Sequence, residues 1–248
     1  MLAVLILAAG KGTRMNSDLP KVLHVLGGKS LIEHVLHAAQ QLDPDRLIVV
    51  VGHRREEVQG KLAGRGMEFV VQEPQLGTGH AVQQANALLA EESGEIIVLS
   101  GDVPLLRANT LCKLLGAHRE YQAVATVLST SAPDPAAYGR IIRNSDGKFM
   151  RIVEAREATD GEKEICEINS GIYCFDIRVL FDALSEIKAD NSKGEYYLTD
   201  VIGVLQKRGL PVQAVDLADF REVRGINTAA ELLDAEQDLR AVLTNSST

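Results

Sequence analysis

Over the first 115 residues, short continuously apolar runs alternate with segments of helical spacing, and this alternation limits the possible folds more than any other feature. Ala3–Ala8, Leu47–Val51, Phe69–Val71 and Ile96–Leu99 are apolar throughout rather than at every second residue. That is the pattern of strands buried on both faces. Between them, Ser30 opens a helix with Glu33 at the capping-box position, and Leu31, Val35, Leu36, Ala38 and Ala39 form its apolar side. Arg55–Leu62 reads as a short helix, Gly79–Ala90 as an Ala- and Leu-rich one, and Thr110–Leu115 as the start of another. Strand–helix alternation of this kind predicts an α/β fold, with a mostly parallel central sheet and helices on both faces.

After about residue 120 the pattern changes. Ala123–Leu128 still reads as a strand. Arg140–Arg143 and Phe149–Val153, joined around Asp146-Gly147, carry a hairpin signature, and Ile172–Phe175 is a further strand. The second half therefore adds antiparallel strands to the parallel sheet. Thr228–Leu243 reads as a last helix, with Thr228 as N-cap and Glu231 completing the capping box. Its apolar positions are Leu232, Leu233, Ala235, Leu239, Val242 and Leu243, and the polar tail Asn245–Thr248 is expected to fray. No internal repeat is visible.

Composition narrows the function. With no Trp and 4% aromatic residues, the core must be built from Leu, Val, Ile and Ala. A net charge of −8 argues against a nucleic-acid-binding surface, which relies on Lys and Arg to neutralise phosphates. It leaves room for a small anionic ligand held by a few fixed cations in a cleft. Cys112, Cys166 and Cys174 form no CxxC pair, and their odd number and wide spacing predict a reducing compartment, with all three as buried filler. The apolar run Met1–Ala9 lacks the basic leader and small-residue cleavage site of a signal peptide, so it reads as a buried strand. No run approaches the ~20 apolar residues of a membrane-spanning helix. A cytoplasmic protein is expected.

Four clusters could carry chemistry. Leu7-Ala8-Ala9-Gly10-Lys11-Gly12-Thr13-Arg14-Met15 follows the first strand. Its glycines permit close approach to a phosphate, and Lys11 and Arg14 add charge, although a plain strand-to-helix turn would look similar. The segment does not fit a dinucleotide fingerprint, because Met15 stands at the third glycine position and strand two ends in Gly52-His53 without an acid. A Walker A loop fails too, because Leu23 stands where its first glycine belongs; Gly28-Lys29-Ser30 is a turn into the Ser30-capped helix. Pro20-Lys21 could return a lysine to the same phosphates or be an ordinary surface pair. Ser100-Gly101-Asp102 ends strand four, where an open α/β sheet gathers ligands and where an Asp could hold Mg²⁺ or merely cap the turn before Pro104. Gln72-Glu73-Pro74-Gln75-Leu76-Gly77-Thr78-Gly79-His80-Ala81 offers amides and backbone to a nucleobase edge, with His80 in a structural role. HExxH, G-x-S-x-G and paired-Cys zinc motifs are absent.

Taken together, these residues resemble the sugar-nucleotide pyrophosphorylase family. L-A-A-G-K-G-T-R-M followed by P-K matches its opening signature, and Gly101-Asp102 its metal motif. Gln75–Ala81, Tyr138-Gly139-Arg140-Ile141, Ile152-Val153-Glu154, Glu167–Gly171, Glu195–Asp200 and Gly225-Ile226-Asn227 look like the pyrophosphorylase half of the bacterial bifunctional enzymes that make UDP-N-acetylglucosamine. The resemblance runs from about residue 3 to 235. It implies the Rossmann-like fold of nucleotide-diphospho-sugar transferases and the conversion of UTP and N-acetylglucosamine 1-phosphate to UDP-N-acetylglucosamine and pyrophosphate, for cell-wall precursors. It implies that Leu7, Ala8, Ala9 and Gly10 lie against the nucleotide, with Ser100 and Gly101 beside it. Arg14 and Lys21 act on the phosphates. Gln72, Gly77 and Thr78 read uracil with help from Gln75. Asp102 and Asn227 share Mg²⁺, and Gly139, Glu154 and Asn169 hold the sugar.

Two departures accompany the resemblance. Ser100 stands where some members carry an aromatic residue, which loosens the expected contact with ribose or base. The bifunctional enzymes continue into a hexapeptide-repeat β-helix that acetylates glucosamine 1-phosphate and forms trimers, whereas no such repeats occur here. The expected division is a nucleotidyltransferase domain at 1–228 and a linker helix at 229–248, with trimers expected only alongside the β-helix. The glycine loop and Gly101-Asp102 alone would also suit a cytidylyltransferase, a molybdopterin guanylyltransferase or a non-catalytic nucleotide sensor.

Overall fold

A computed structural model describes residues 1–89, 91–135, 137–216 and 219–245, with the backbone alone for 241–245. Its first half alternates as the patterning predicts. Strand β1 (Leu2–Ala8) leads through one-turn 3-10 helices at Thr13–Met15 and Lys21–Leu23 to a small hairpin, β2 (Val25–Leu26) and β3 (Lys29–Ser30). Then follow α1 (Leu31–Gln40), β4 (Arg46–Val51), α2 (Arg55–Leu62), β5 (Glu68–Val71), α3 (Thr78–Gln83), α4 (Asn86–Leu89), β6 (Glu95–Ser100) and α5 (Ala108–Glu120). The second half contains β7 (Ala125–Ser131), the hairpin β8 (Arg140–Arg143) and β9 (Phe149–Val153), α6 (Asp160–Lys163), β10 (Glu167–Asp176) and α7 (Ile177–Leu184). It closes with α8 (Asp200–Lys207), β11 (Val212–Asp216), α9 (Phe220–Val223) and α10 (Ala229–Asn245).

The described strands form a nine-stranded sheet ordered β11-β7-β10-β6-β1-β4-β5, with β8 and β9 branching from β10. β1 pairs in parallel with both β4 and β6, and β4 in parallel with β5. The chain runs outward from β1 to β5 and then crosses back to place β6 on the other side of β1. That reversal between β1 and β6 is where an open sheet leaves a crevice beyond its carboxyl ends. β10 is antiparallel to both β6 and β7.

β10 also shapes that crevice. Its pairing with β6 runs from Asp176↔Glu95 to Tyr173↔Val98. Its register with β7 then breaks between Tyr173 and Asn169, where Gly171 takes a left-handed φ of 78°. The sheet therefore splits beside Leu99 and Ser100, where β6 ends two residues before Asp102.

Apolar residues fill both faces of the sheet because successive strand side chains point to opposite sides. Ala3 and Leu5 of β1 join Ile48, Val50, Ile96 and Val98 in a core closed by α3, α4, α7 and α8. Val4, Ile6 and Ala8 join Val49, Val51, Ile97 and Leu99 under α1, α2 and α5. The capping boxes form at both predicted helix starts. Ser30 N donates to Glu33 Oε2 at 2.8 Å, and Thr228 N to Glu231 Oε2 at 2.9 Å. α10 packs on the β2–β3 hairpin through Leu232, buried Ala235 and Leu239, joined to Leu26, Leu31 and Ile226. Leu233 faces outward, and the predicted apolar side chains of Val242 and Leu243, like the tail beyond 245, lie outside what is described.

Three expectations need correction. The single helix predicted over 79–90 is two helices, because Gln84 N and Ala85 N reach back three residues, to Ala81 O and Val82 O, and tighten the chain out of α geometry; residue 90 lies outside the described residues. The cysteines are not all buried. Cys174 is, but Cys112 sits on the outward side of α5 and Cys166 ahead of β10, both exposed. Finally, β10 is ten residues long rather than the four of Ile172–Phe175, because its first half is polar and pairs with the last strand residues of β7.

Candidate active site

The clusters singled out in the sequence converge on the crevice beyond β1 and β6. Leu7 and Ser100 are register partners at the ends of these strands, and Gly101 N donates to Leu7 O at 2.9 Å. Gly101 itself is buried below the crevice, since a side chain there would meet Leu7 O at 3.1 Å. The two glycines of the loop after β1 have different uses. Gly10 has nothing within 4 Å of a would-be Cβ, so its backbone is open to a ligand. Gly12 sits at φ 61°, and a side chain there would fall 2.5 Å from the Lys21 Cβ. Gly12 thus lets Lys21 pack against the loop, which answers whether Pro20-Lys21 is an ordinary surface pair.

Lys21 is the hub of a charged network. Its Nζ donates to Asp102 Oδ2 in a short ion pair and to Asn227 Oδ1 at 3.0 Å. Arg14 Nη2 donates to the same Asn227 oxygen at 2.9 Å. Asn227 is placed by the loop between α9 and α10. Ile226 N donates to Asp102 O at 2.9 Å, and Asn227 N to Glu231 Oε2 at 2.6 Å. Gly225 passes so close that a Cβ there would lie 3.5 Å from Asp102 Oδ2. Two hard oxygens from residues 125 positions apart therefore converge on one cationic nitrogen. Among the described residues no three His, Cys, Asp or Glu side chains gather as a metal site. A Mg²⁺ here would have Asp102 and Asn227 as protein ligands, which fits its preference for one or two protein oxygens completed by substrate phosphates.

A cavity of about 440 Å³ opens beside this network. Leu7, Ala8, Ala9, Gly10 and Lys21 line it together with their neighbours Ser100 and Asp102, and Gln72, Gln75, Gly77, Thr78 and Glu154 line it as well. Gln72 is buried and fixed, donating to Gly77 O at 2.8 Å and lying 3.2 Å from His80 Nδ1. His80 therefore orients an amide, in keeping with a structural role. Gly139 and Asn169 sit together outside the cavity lining, with Asn169 N donating to Gly139 O at 2.8 Å and Asn169 Nδ2 to Tyr173 Oη at 2.7 Å. Gly101, Arg14 and Asn227 are likewise behind or beside the lining, the last two tied to it through Lys21. Val22, Ala81, Lys193, Glu195 and Tyr197 also line the cavity; the sequence reading gave none of them a role, although Ala81 lies in the Gln72–Ala81 cluster. The Glu195–Asp200 motif was the signal that could have found the last two.

These elements belong to a known architecture. The profile of the MobA-like NTP transferase domain matches residues 4–167. The chain belongs to this family of NTP transferases. The match takes in β1, the glycine loop, Lys21, Asp102 and the β8–β9 hairpin. The chain is 48% identical over 243 residues to the bifunctional protein GlmU of Corynebacterium efficiens, covering 96% of this chain and 50% of that one. It is 49% identical over 236 residues to the bifunctional protein GlmU of Streptococcus mutans, covering 95% and 51%. It thus spans about half the length of these relatives. The structure of a UDP-glucose pyrophosphorylase complexed with UDP-glucose superposes with a TM-score of 0.76 at 19% identity, covering 96% of this chain and 98% of that one, so the α/β fold is that of the nucleotide-sugar pyrophosphorylases.

Two groups in this NTP transferase stand out. Burial pushes the Glu154 carboxyl above the usual carboxylate range, against the opposing hydrogen bond donated by Thr199 Oγ1 at 2.9 Å. Gly77 holds φ 107°, and a Cβ would lie 2.5 Å from Tyr196 O and 2.9 Å from Tyr196 N. Both obstacles are backbone, so nothing flexible can yield. Gly77→Ala is expected to lose about 3 kcal/mol of stability, a fall in Tm of about 6–12 °C by differential scanning calorimetry. Gly10→Ala, whose site is open, is expected to melt within about 2 °C of the parent.

Proposed function

We propose that this chain is a uridylyltransferase that joins UTP and N-acetylglucosamine 1-phosphate into UDP-N-acetylglucosamine, releasing pyrophosphate. The observation that carries the reading is the Lys21 ammonium held between Asp102 and Asn227 at a cavity lined also by residues of the Gln72–Thr78 segment and by Glu154. A nucleotide laid in that cavity has its base toward the amides and its phosphates toward the cations. Membership of the NTP transferases and near-half identity to two GlmU proteins support the same reading.

The residues suit the chemistry. An oxygen of the sugar 1-phosphate attacks the α-phosphorus of UTP, and the bond from that phosphorus to the β-phosphate oxygen breaks. The attacking oxygen is already anionic at neutral pH, so no general base is required. The barrier is charge repulsion and alignment. Lys21 and Arg14 offset the negative charge that grows around the α-phosphorus and the departing pyrophosphate. Gln72, Gln75, Gly77 and Thr78 would fix the uracil end, and Gly139, Glu154 and Asn169 the sugar, so that attack is in line. Mg²⁺ held by Asp102 and Asn227 would supply further neutralisation of the phosphates when bound. In this reading residues 1–228 are the catalytic domain and 229–248 a linker helix. The reaction takes place in the cytoplasm and feeds cell-wall precursors. No described helix is long and apolar enough to cross a membrane.

Pyrophosphate release, measured with UTP, N-acetylglucosamine 1-phosphate and Mg²⁺, is expected to require both substrates and to stop with EDTA. A clear preference for CTP or GTP over UTP would overturn the uridylyl assignment. Tight UTP binding with no release for any sugar 1-phosphate would point to a nucleotide sensor.

A further inference from the structure

Asn227 stands just before Thr228, the N-cap of α10, and this cap reaches further than the others in the chain. In the capping boxes Ser30–Glu33 and Thr159–Glu162, the glutamate oxygen returns to the N–H and hydroxyl of the capping residue itself. At α10, Glu231 Oε2 accepts from Thr228 N at 2.9 Å and also from Asn227 N at 2.6 Å, the shorter of the two. Capping a helix calls for the first of these bonds only. The second ties down the backbone of a residue outside the helix. The Asn227 side chain is oriented as well, because Nδ2 donates to Gly225 O at 3.3 Å and leaves Oδ1 toward Lys21 and Arg14.

The helix that supplies this anchor is itself seated. Arg224 Nη2 donates to Asp238 Oδ2 at 2.8 Å, across the loop that carries Asn227. Leu239 lies against Gly27, where a Cβ would fall 2.5 Å from its Cδ2, and Ala235 is buried beside Leu26 and Ile226. Ile226 in turn donates its N–H to Asp102 O. A continuous set of contacts thus runs from the β2–β3 hairpin through α10 to the two site oxygens.

We propose that Glu231 is a positioning residue of the metal site, its carboxylate fixing the Asn227 backbone and so the placing of the Asn227 oxygen relative to Asp102. It acts through Asn227 and touches neither substrate nor metal. The inference rests on the assignment of Mg²⁺ to Asp102 and Asn227. Mg²⁺ tolerates little departure from octahedral geometry, so a ligand whose backbone can drift holds it less well. Hydrogen-bond partners behind metal ligands are typically worth about 10- to 100-fold in metal affinity. On this proposal the first turn of α10 serves the catalytic domain rather than acting only as a linker.

The test compares UTP binding by isothermal titration calorimetry in Mg²⁺ and in EDTA, so that no turnover is needed. In the parent, Mg²⁺ should tighten UTP binding. In Glu231→Ala that gain should fall about tenfold, with Kd in EDTA within about twofold of the parent's. Formation of the Mg²⁺–UTP complex in solution is common to all variants and cancels. Glu231→Gln should restore the gain, because its amide oxygen can accept both N–H bonds. Thr228→Ala removes the hydroxyl that accepts from Glu231 N at 3.2 Å but leaves Asn227 N bonded to Glu231. It should lower Tm, as the loss of an N-cap does, and leave the Mg²⁺ gain unchanged. Should Glu231→Ala fail to fold, Glu231→Asp keeps the charge, withdraws the oxygens by one methylene and carries the same expectation. A gain in Glu231→Ala equal to the parent's, or one reduced equally in Thr228→Ala, would overturn the proposal; the latter would show helix stability acting in place of position. If the parent gains nothing from Mg²⁺, the metal assignment fails and this inference with it. If the parent gains and Glu231→Ala gains as much, only this inference fails.

Discussion

Replacing Lys21 with Ala is expected to lower kcat about a thousandfold, about 4 kcal/mol of lost transition-state stabilisation, while KM for UTP rises far less. The ammonium is held at the junction of the glycine loop, β6 and the 225–227 loop, where charge would grow as pyrophosphate leaves. An interaction that strengthens as the bond breaks appears in kcat, whereas one made equally before and during reaction appears in KM. Lys21 is only partly buried and holds no core packing, so circular dichroism and Tm should stay close to the parent. Lys21→Arg should not rescue, because the chain at Lys21 is pressed against Gly12 and the bulkier, planar guanidinium cannot take the ammonium's position between two oxygens. Turnover within tenfold of the parent in Lys21→Ala would remove Lys21 from its assigned role.

Asp102→Asn is the second large effect expected, again about a thousandfold in kcat. The amide keeps the shape of the carboxylate but removes the charge that a hard divalent cation requires. Its signature is a Mg²⁺ titration that no longer saturates at the parent's concentration. Lys21, Asp102 and Asn227 share hydrogen bonds in one network, so their losses should not add. The double variant Lys21→Ala, Asp102→Asn should be little slower than either single one. Fully additive losses near a millionfold would mean that the two residues act separately. A Mg²⁺ titration of Asp102→Asn that saturates like the parent's would place the metal elsewhere.

Much of the first half was legible because β1, β4 and β6 are buried on both faces; β5 was found from the same apolar pattern, although as the edge strand it is only half-buried, with Val71 exposed. The strand predicted at Leu47–Val51 differs from β4 by one residue, and the predicted hairpin around Asp146-Gly147 has the bounds of β8 and β9. Between 176 and 228 patterning assigned no element, yet α7, α8, β11 and α9 lie there. In α7, Ile177, Val179 and Phe181 are residues that favour strands, and burial against the sheet together with the Asp176 N-cap, which accepts from Val179 N at 3.0 Å, decides for helix. At the site, the motifs were legible as residue types but not as partners. Nothing local in Pro20-Lys21 shows that its ammonium reaches Asn227, 206 positions away. Nor does the sequence separate the glycine left open to the crevice from the one that seats a lysine, since that depends on what packs beside Gly10 and Gly12.

The break between β10 and the end of β6 also divides labour. On one side, β1, β4, β5 and β6 carry the glycine loop, the Gln72–Thr78 segment and Asp102; on the other, β8, β9 and β10 carry Gly139, Glu154 and Asn169. The halves are stitched by four residue pairs at the start of β6, from Glu95 to Val98, away from the crevice beyond its carboxyl end. Inheritance can therefore act on them separately. On the proposed reaction, a lineage could exchange the sugar it accepts by rewriting the β8–β9 hairpin and the 191–199 segment, while the residues proposed to act on the triphosphate pass on unchanged.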